Sequence, residues 1–229
     1  GVTPILPSVR AAEERILAST TSKLYMPISG DPAYLAAAKS LLFRTVGGAW
    51  GEIEPAASER VQMIHTPGGT GAVRLAVDLV SRLRPGAEIW VGEPTWPNHT
   101  QIIESSRITA RRHDWITDDA RSLNTGALFD AIAAAKGGDA IILHGACHNP
   151  TGIDPTPDQW IEIAQQIAHR GILPILDFAY QGFGEGLIED AASLRAFLAT
   201  GCEVLVASSS SKNFALYNER VGSLAIIGA

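Results

Sequence analysis

The chain has 229 residues, 46% hydrophobic and 18% charged, with a formal charge of −6. That is enough to bury a sizeable core in one globular domain, and it offers no basic face for a nucleic acid. No apolar run approaches the ~20 residues of a membrane-spanning helix. The start carries Pro4, Pro7, Arg10, Glu13, Glu14 and Arg15 in place of a signal peptide's apolar segment, and two cysteines, Cys147 and Cys202, permit at most one bridge. Small-molecule chemistry in a reducing, cytoplasmic compartment is the expectation.

Residues 1–30 read as an arm or edge segment. They hold a proline-rich coil, a helix over 8–19 and the stretch Thr20-Thr21-Ser22-Lys23-Leu24-Tyr25, in which Tyr25 by itself reads as a surface or interface aromatic. A helix follows over 31–43, with Asp31 as its cap and Pro32 at the first helical position. Residues 61–66 predict a strand and Pro67-Gly68-Gly69-Thr70-Gly71 a turn; Val73, Ala76, Val77, Val80 and Leu83 then keep helical spacing. Amides at such a glycine-rich helix start can cradle a phosphate, or the turn can be only a tight connection.

A strand over 88–91 leads to Gly92-Glu93-Pro94-Thr95-Trp96-Pro97-Asn98-His99 and a helix ending near 105. Trp96, fixed between Thr95 and Pro97, suits stacking on a flat ligand. Further strands are predicted at 108–112 and 139–144, with a polar stretch at 114–124 and a helix over 128–136 between them. The turn Cys147-His148-Asn149-Pro150-Thr151-Gly152 precedes Thr156-Pro157-Asp158-Gln159, a capping box whose helix carries Trp160, Ile163, Ala164 and Ile167 on one face. A strand at 172–176, weakened by Pro174, ends in Asp177-Phe178-Ala179-Tyr180. A helix over 190–199 and strands at 203–207 and 222–227 complete the pattern.

Strands alternating with helices imply an α/β domain with a mainly parallel sheet, and ligands of such sheets sit beyond the strands' carboxyl ends. Gly69, Thr70, Trp96, Asn149, Asp177, Tyr180 and Lys212 all fall at such ends. Lys212, at the mouth of a strand, is suited to nucleophilic or Schiff-base chemistry if burial or a neighbouring cation releases its proton.

Taken together, PGGTGAVR, EPTWPNH, HGACHNPTGIDPT, DFAYQGFGEG and SSSSKNFALYNERVG resemble the aspartate and aromatic aminotransferases, pyridoxal 5'-phosphate enzymes of the first fold type. The resemblance runs in order over nearly the whole sequence, and CHNPTG, DFAYQGF and SKNFALYNERVG are its most specific parts. It implies a three-layer α/β/α fold, the large domain of a fold-type I transferase, over residues 31–229. It also implies transfer of an amino group between aspartate or aromatic amino acids and 2-oxoglutarate, with the cofactor alternating between pyridoxal and pyridoxamine forms.

By the same resemblance Lys212 holds the cofactor as a Schiff base and moves the proton, and Asp177 is the carboxylate at the pyridine nitrogen. Tyr180 and Asn149 bond to the phenolic oxygen, Trp96 stacks on the ring, and His99 supports Asp177. Gly69, Thr70, Ser209 and Arg220 take the phosphate, while Tyr25 reaches the cofactor of the partner subunit in a homodimer. His65, His113 and His169 match no site motif and read as surface or satisfied polar residues; His144 and His148 read as supports of the Asn149 loop. Family chains are longer and carry the arginine for the substrate carboxylate in a C-terminal small domain, so this chain is expected to be the central part of the large domain. Competing readings are a Ser209/Lys212 acyl-enzyme hydrolase, a non-catalytic module that keeps the fold, and a β-lyase or decarboxylase on the same cofactor.

Overall fold

The computed structural model describes residues 4–49 and 52–229. Residues 1–3 of the expected arm lie outside the described residues. The elements are α1 (Pro7–Ser19), α2 (Pro32–Leu42), α3 (Pro55–Ser58), β1 (Val61–Pro67), α4 (Gly68–Leu83), β2 (Ile89–Glu93), α5 (Pro97–Ser105), β3 (Ala110–Asp114), α6 (Thr125–Ala134), β4 (Ala140–His144), α7 (Pro157–His169), β5 (Leu173–Phe178), a short 3-10 turn (Glu189–Ala191), α8 (Ala192–Thr200), β6 (Val204–Ser209) and β7 (Val221–Ile227).

Seven strands form one sheet in the order β1-β7-β6-β5-β4-β2-β3. β6, β5, β4, β2 and β3 run parallel, while β7 is antiparallel to both of its neighbours. The strands in the middle of this sheet are covered on both faces, and β4 and β5 are accordingly buried at every position. One face packs on α4 and α5 through Val73, Val77, Ile89, Ile103, Ile142 and Ile175. The other packs on α6, α7 and α8 through Leu128, Ile141, Ile163, Leu176 and Phe197. The result is the three-layer arrangement, each large apolar side chain contributing about 1.5–3 kcal/mol by leaving water.

Local chemistry starts the helices where the residues place them. Asp31 accepts the N–H groups of Ala33 and Tyr34, and Thr156 and Gln159 close a reciprocal capping box on α7. Pro174 proves compatible with a central strand. Leu173 N–H bonds to Asp139 on the β4 side, so alternation turns position 174 toward β6, one residue before the first registered pair, Ile175 with Leu205. The missing donor faces a stretch where no ladder has begun.

Two local expectations shift. α4 begins at Gly68, so Gly69 and Thr70 lie in its first turn instead of in a turn before it. β5 continues through Phe178, which places Asp177 inside the sheet, in register with His144 and Ala207. α1 buries no residue, and Leu24, Tyr25, Met26 and Ile28 are exposed.

β7 passes so close to the start of α4 that a Cβ at Gly222 would lie 2.5 Å from Gly68 C and 2.6 Å from the Ser208 carbonyl oxygen. All of these atoms are backbone, so nothing nearby can rotate away. Gly222→Ala is expected to cost about 2 kcal/mol or more, read as a lower urea midpoint at unchanged m-value.

Candidate active site

The carboxyl ends of β2, β4, β5 and β6 open into a cleft lined by Gly69, Thr70, Trp96, His144, Asn149, Asp177, Ala179, Tyr180, Ser209, Ser211, Lys212 and Arg220. Its space between protein atoms is about 460 Å³, open mouth included. Nine of the residues expected at a site therefore meet in one place. His99 lies directly behind them, and Tyr25 stands apart, fully exposed on the arm.

Asp177 is the buried anion of this cleft, 5% exposed. Its Oδ2 is 2.9 Å from Nε2 of His99, which is wholly buried at the start of α5. Thr95 Oγ1 lies 2.9 Å from His99 Nδ1 and 2.9 Å from His144 Nε2. A hydroxyl has one proton to give, so Thr95 donates to one ring and accepts from the other. In either arrangement His99 turns an N–H toward Asp177, because a bare ring nitrogen facing a carboxylate would be repulsive. The proton on His99 Nε2 is thus assigned from the network.

Burial, reinforced by His99 and His148 nearby, holds His144 well below the ordinary histidine range. Burial likewise brings His148 down to about 4, with His99 as the next cause. Both rings are neutral near pH 7. His148 packs against the His144 ring, with centroids 4.2 Å apart, and its Nδ1 lies 2.8 Å from Thr151 Oγ1.

Trp96 stands at the mouth, edge-on to His99 at 5.3 Å between centroids. Asn149 Nδ2 reaches toward the Tyr180 hydroxyl at 3.5 Å, and burial first, then the Asp177 charge, raises the Tyr180 phenol above its usual value. Lys212 Nζ lies 5.4 Å from the Tyr180 ring centre and 5.9 Å from that of Tyr217. Cys147, also near, is pushed up to about 11 by burial and by Asp190 and Asp154, so its thiol is inert at neutral pH.

Arg220 arrives from the other side of the sheet order. Because β7 is antiparallel to β6, its first residues lie beside the last residues of β6, Gly222 pairing with Ser209. The guanidinium donates from Nη1 to the Tyr217 carbonyl at 3.0 Å and to Ser211 Oγ at 3.3 Å. Among the described residues no carboxylate pairs with it. It lies over Gly68, where a Cβ would come within 2.6 Å of Nη2, and a Cβ at Gly69 would meet Ser209 Cβ at 3.0 Å. Glycine at these two positions keeps open a cradle bounded by an unpaired cation and the first-turn amides of α4, which have no intrahelical acceptors.

Residues 2–227 match the family described as aminotransferase class I and II. The chain belongs to that family. It is 42% identical over 229 residues to aspartate aminotransferase of Salmonella typhi, covering 100% of this chain and 56% of that protein. A solved aromatic amino acid aminotransferase with 3-indolepropionic acid superposes with a TM-score of 0.92 at 41% identity, over 100% of this chain and 57% of the other. The aromatic-amino-acid aminotransferase of Burkholderia pseudomallei, covalently bound to pyridoxal phosphate, gives a TM-score of 0.92 at 35% identity, over 99% and 55%. The chain thus spans about half the length of the relatives it matches.

One histidine is corrected. His113 is not on the surface and is only half satisfied: it is buried in β3, burial lowers its pKa, its Nδ1 lies 3.4 Å from the Asp114 carbonyl oxygen, and its Nε2 has no hydrogen-bond partner among the described residues. Thr95, the link between two histidines, carried no distinguishing sequence signal. His144 lines the cleft and joins the Asp177 network; an imidazole closing a buried strand was the available clue.

Buried neutral histidines make stability depend on pH. In the unfolded chain each takes a proton near pH 6.5, whereas in the folded chain His148 does so only near 4. Their contribution is complete above about 6.5 and is lost as pH falls toward about 4. Urea midpoints are expected to drop between pH 7 and pH 4.5, and to drop less in His148→Asn.

Proposed function

We propose that this chain forms the cofactor-binding part of a pyridoxal 5'-phosphate-dependent transaminase that moves an amino group between aspartate or aromatic amino acids and 2-oxoglutarate. The observation that carries the reading is the convergence of Lys212, Asp177, Tyr180, Asn149, Trp96 and Arg220 on one cleft. The cradle at Gly68 and Gly69, with Arg220 unpaired above it, fits a phosphate. When bound, the cofactor supplies an electrophilic carbonyl carbon and a ring that accepts the electrons left by proton removal.

The protein's part is to hold, orient and move a proton. Lys212 Nζ would hold the cofactor and, as a free amine, would be the base that takes and returns the proton. Asp177 supplies a fixed counter-charge for the ring nitrogen, and His99 orients that carboxylate through Nε2. Trp96 covers the ring face. Tyr180 and Asn149 donate to the phenolic oxygen, and Arg220, Ser209 and the Gly69 and Thr70 amides take the phosphate.

Residues 31–229 are the cofactor-binding domain in this reading, and residues 1–30 an arm. The exposure of Leu24, Tyr25, Met26 and Ile28 supports docking of the arm on a second copy, with Tyr25 reaching the other subunit's cofactor in a homodimer. Both cysteines are free, which suits the cytoplasm. An acyl-enzyme reading finds no support, since Ser209 Oγ accepts the Ser211 N–H at 3.2 Å and no hydrogen bond joins it to Lys212 among the described residues.

The deciding experiment adds pyridoxal phosphate to purified protein, records the visible spectrum, reduces with borohydride and maps the labelled peptide. Label is expected at Lys212, and none in folded Lys212→Ala; a folded parent protein with no band and no label would sink the reading. Arg220→Ala removes a charge-assisted contact to the phosphate and should weaken cofactor binding roughly 10–100-fold, measured as a dissociation constant by equilibrium dialysis.

A further inference from the structure

We propose that Trp115, outside the cleft, is a positioning residue for Asn149. Trp115 follows β3 and is almost wholly buried; its N–H bonds to Glu93 O at 2.8 Å and its carbonyl accepts the Asn124 N–H at 2.9 Å. The indole is therefore anchored from its own backbone. Its ring lies flat on the His148 imidazole, with centroids 4.5 Å apart and planes inclined by 8°. Its Nε1–H donates to the Ile153 carbonyl at 2.9 Å.

These two contacts grip the loop after β4 on both sides of Asn149. Asp154 closes the same loop from within, accepting the N–H groups of Cys147 and His148 at 2.6 and 2.8 Å, while the Gly152 N–H bonds to the His148 carbonyl at 2.7 Å. Asp154, however, holds only backbone at positions 147 and 148. The orientation of the His148 ring, and with it the peptide that leads into Asn149, depends on the flat face of Trp115, on the His144 ring beside it and on Thr151. The Asn149 amide is 3.5 Å from the Tyr180 hydroxyl, a contact that small loop displacements would break. A tryptophan serving the core alone would fill volume; this one stacks on the residue before Asn149 and hydrogen-bonds four residues after it.

The consequence rests on the functional reading above, in which Asn149 stabilises negative charge on the cofactor's phenolic oxygen. Losing Trp115 should then raise the pH midpoint of the bound cofactor's absorbance change, as losing Asn149 itself should. Trp115→Leu removes the stack and the N–H donor; Trp115→Phe keeps an aromatic face and removes only the donor. The expected result is an upward shift of about half a unit or more in Trp115→Leu, a smaller one in Trp115→Phe, and no added shift when Trp115→Leu is combined with Asn149→Ala. A parental midpoint in both Trp115 variants, accompanied only by a lower melting temperature, would overturn the proposal. Should Trp115→Leu not fold, Trp115→Phe decides by the same criterion.

A second readout needs no cofactor. In 15N-labelled protein the side-chain amide resonances of Asn149, identified by their absence in Asn149→Ala, should move or broaden in the Trp115 variants, and unchanged resonances would overturn the proposal. If the parent protein binds no pyridoxal phosphate, the functional reading fails, and the amide resonances alone decide whether Trp115 positions Asn149.

Discussion

A carboxylate buried inside a parallel sheet is costly unless it is hydrogen-bonded, and the contact between Asp177 and His99 meets that requirement. Asp177 sits between His144 and Ala207 in the ladder, so its backbone cannot retreat to solvent. His99, Thr95 and His144 are buried with it, each using polar atoms that would otherwise be orphaned. Removing any one member exposes the next to the same penalty, which makes the group a single unit. The floor of the cleft is thereby rigid before any ligand enters.

The second constraint is the direction of β7. A further parallel strand would have placed Arg220, which precedes β7, at the opposite edge of the sheet. The antiparallel return puts it beside the end of β6, within reach of Ser211 and above Gly68. The same return forces backbone against backbone at Gly222, so a glycine there is a packing requirement as well as a condition for placing the cation. Fold and anion cradle share one geometric cause.

The cleft thus divides into two halves with different physics. Its floor is a buried hydrogen-bonded network in which burial keeps His144, and beside it His148, neutral near pH 7. Its upper rim carries the half-buried Lys212 and the exposed Arg220 on the segment between β6 and β7. A ligand with an anionic tail and a flat, nitrogen-bearing ring matches both halves.

Much of this was legible in the chain. Alternating apolar runs and amphipathic stripes identified the strands and helices, because burial on one stripe or two faces leaves a periodic mark, and the specific strings around Asn149, Asp177 and Lys212 pointed to a family. Strand ends such as that of β5 moved by a residue or two because ladder pairing decides where a strand stops, and α4 starts about four residues earlier than expected, at Gly68. Hidden from the sequence were the contacts between residues far apart in the chain: Thr95 between two imidazoles, His113 buried with an open nitrogen, and Trp115 flat against His148. The sequence by itself determined the α/β class, the elements and the residue types at the cleft, since these follow from local pattern. Only the tertiary structure decided that β7 runs backwards and that Thr95 bridges His99 and His144, because strand direction and side-chain partnership depend on which distant segments compete for the same space.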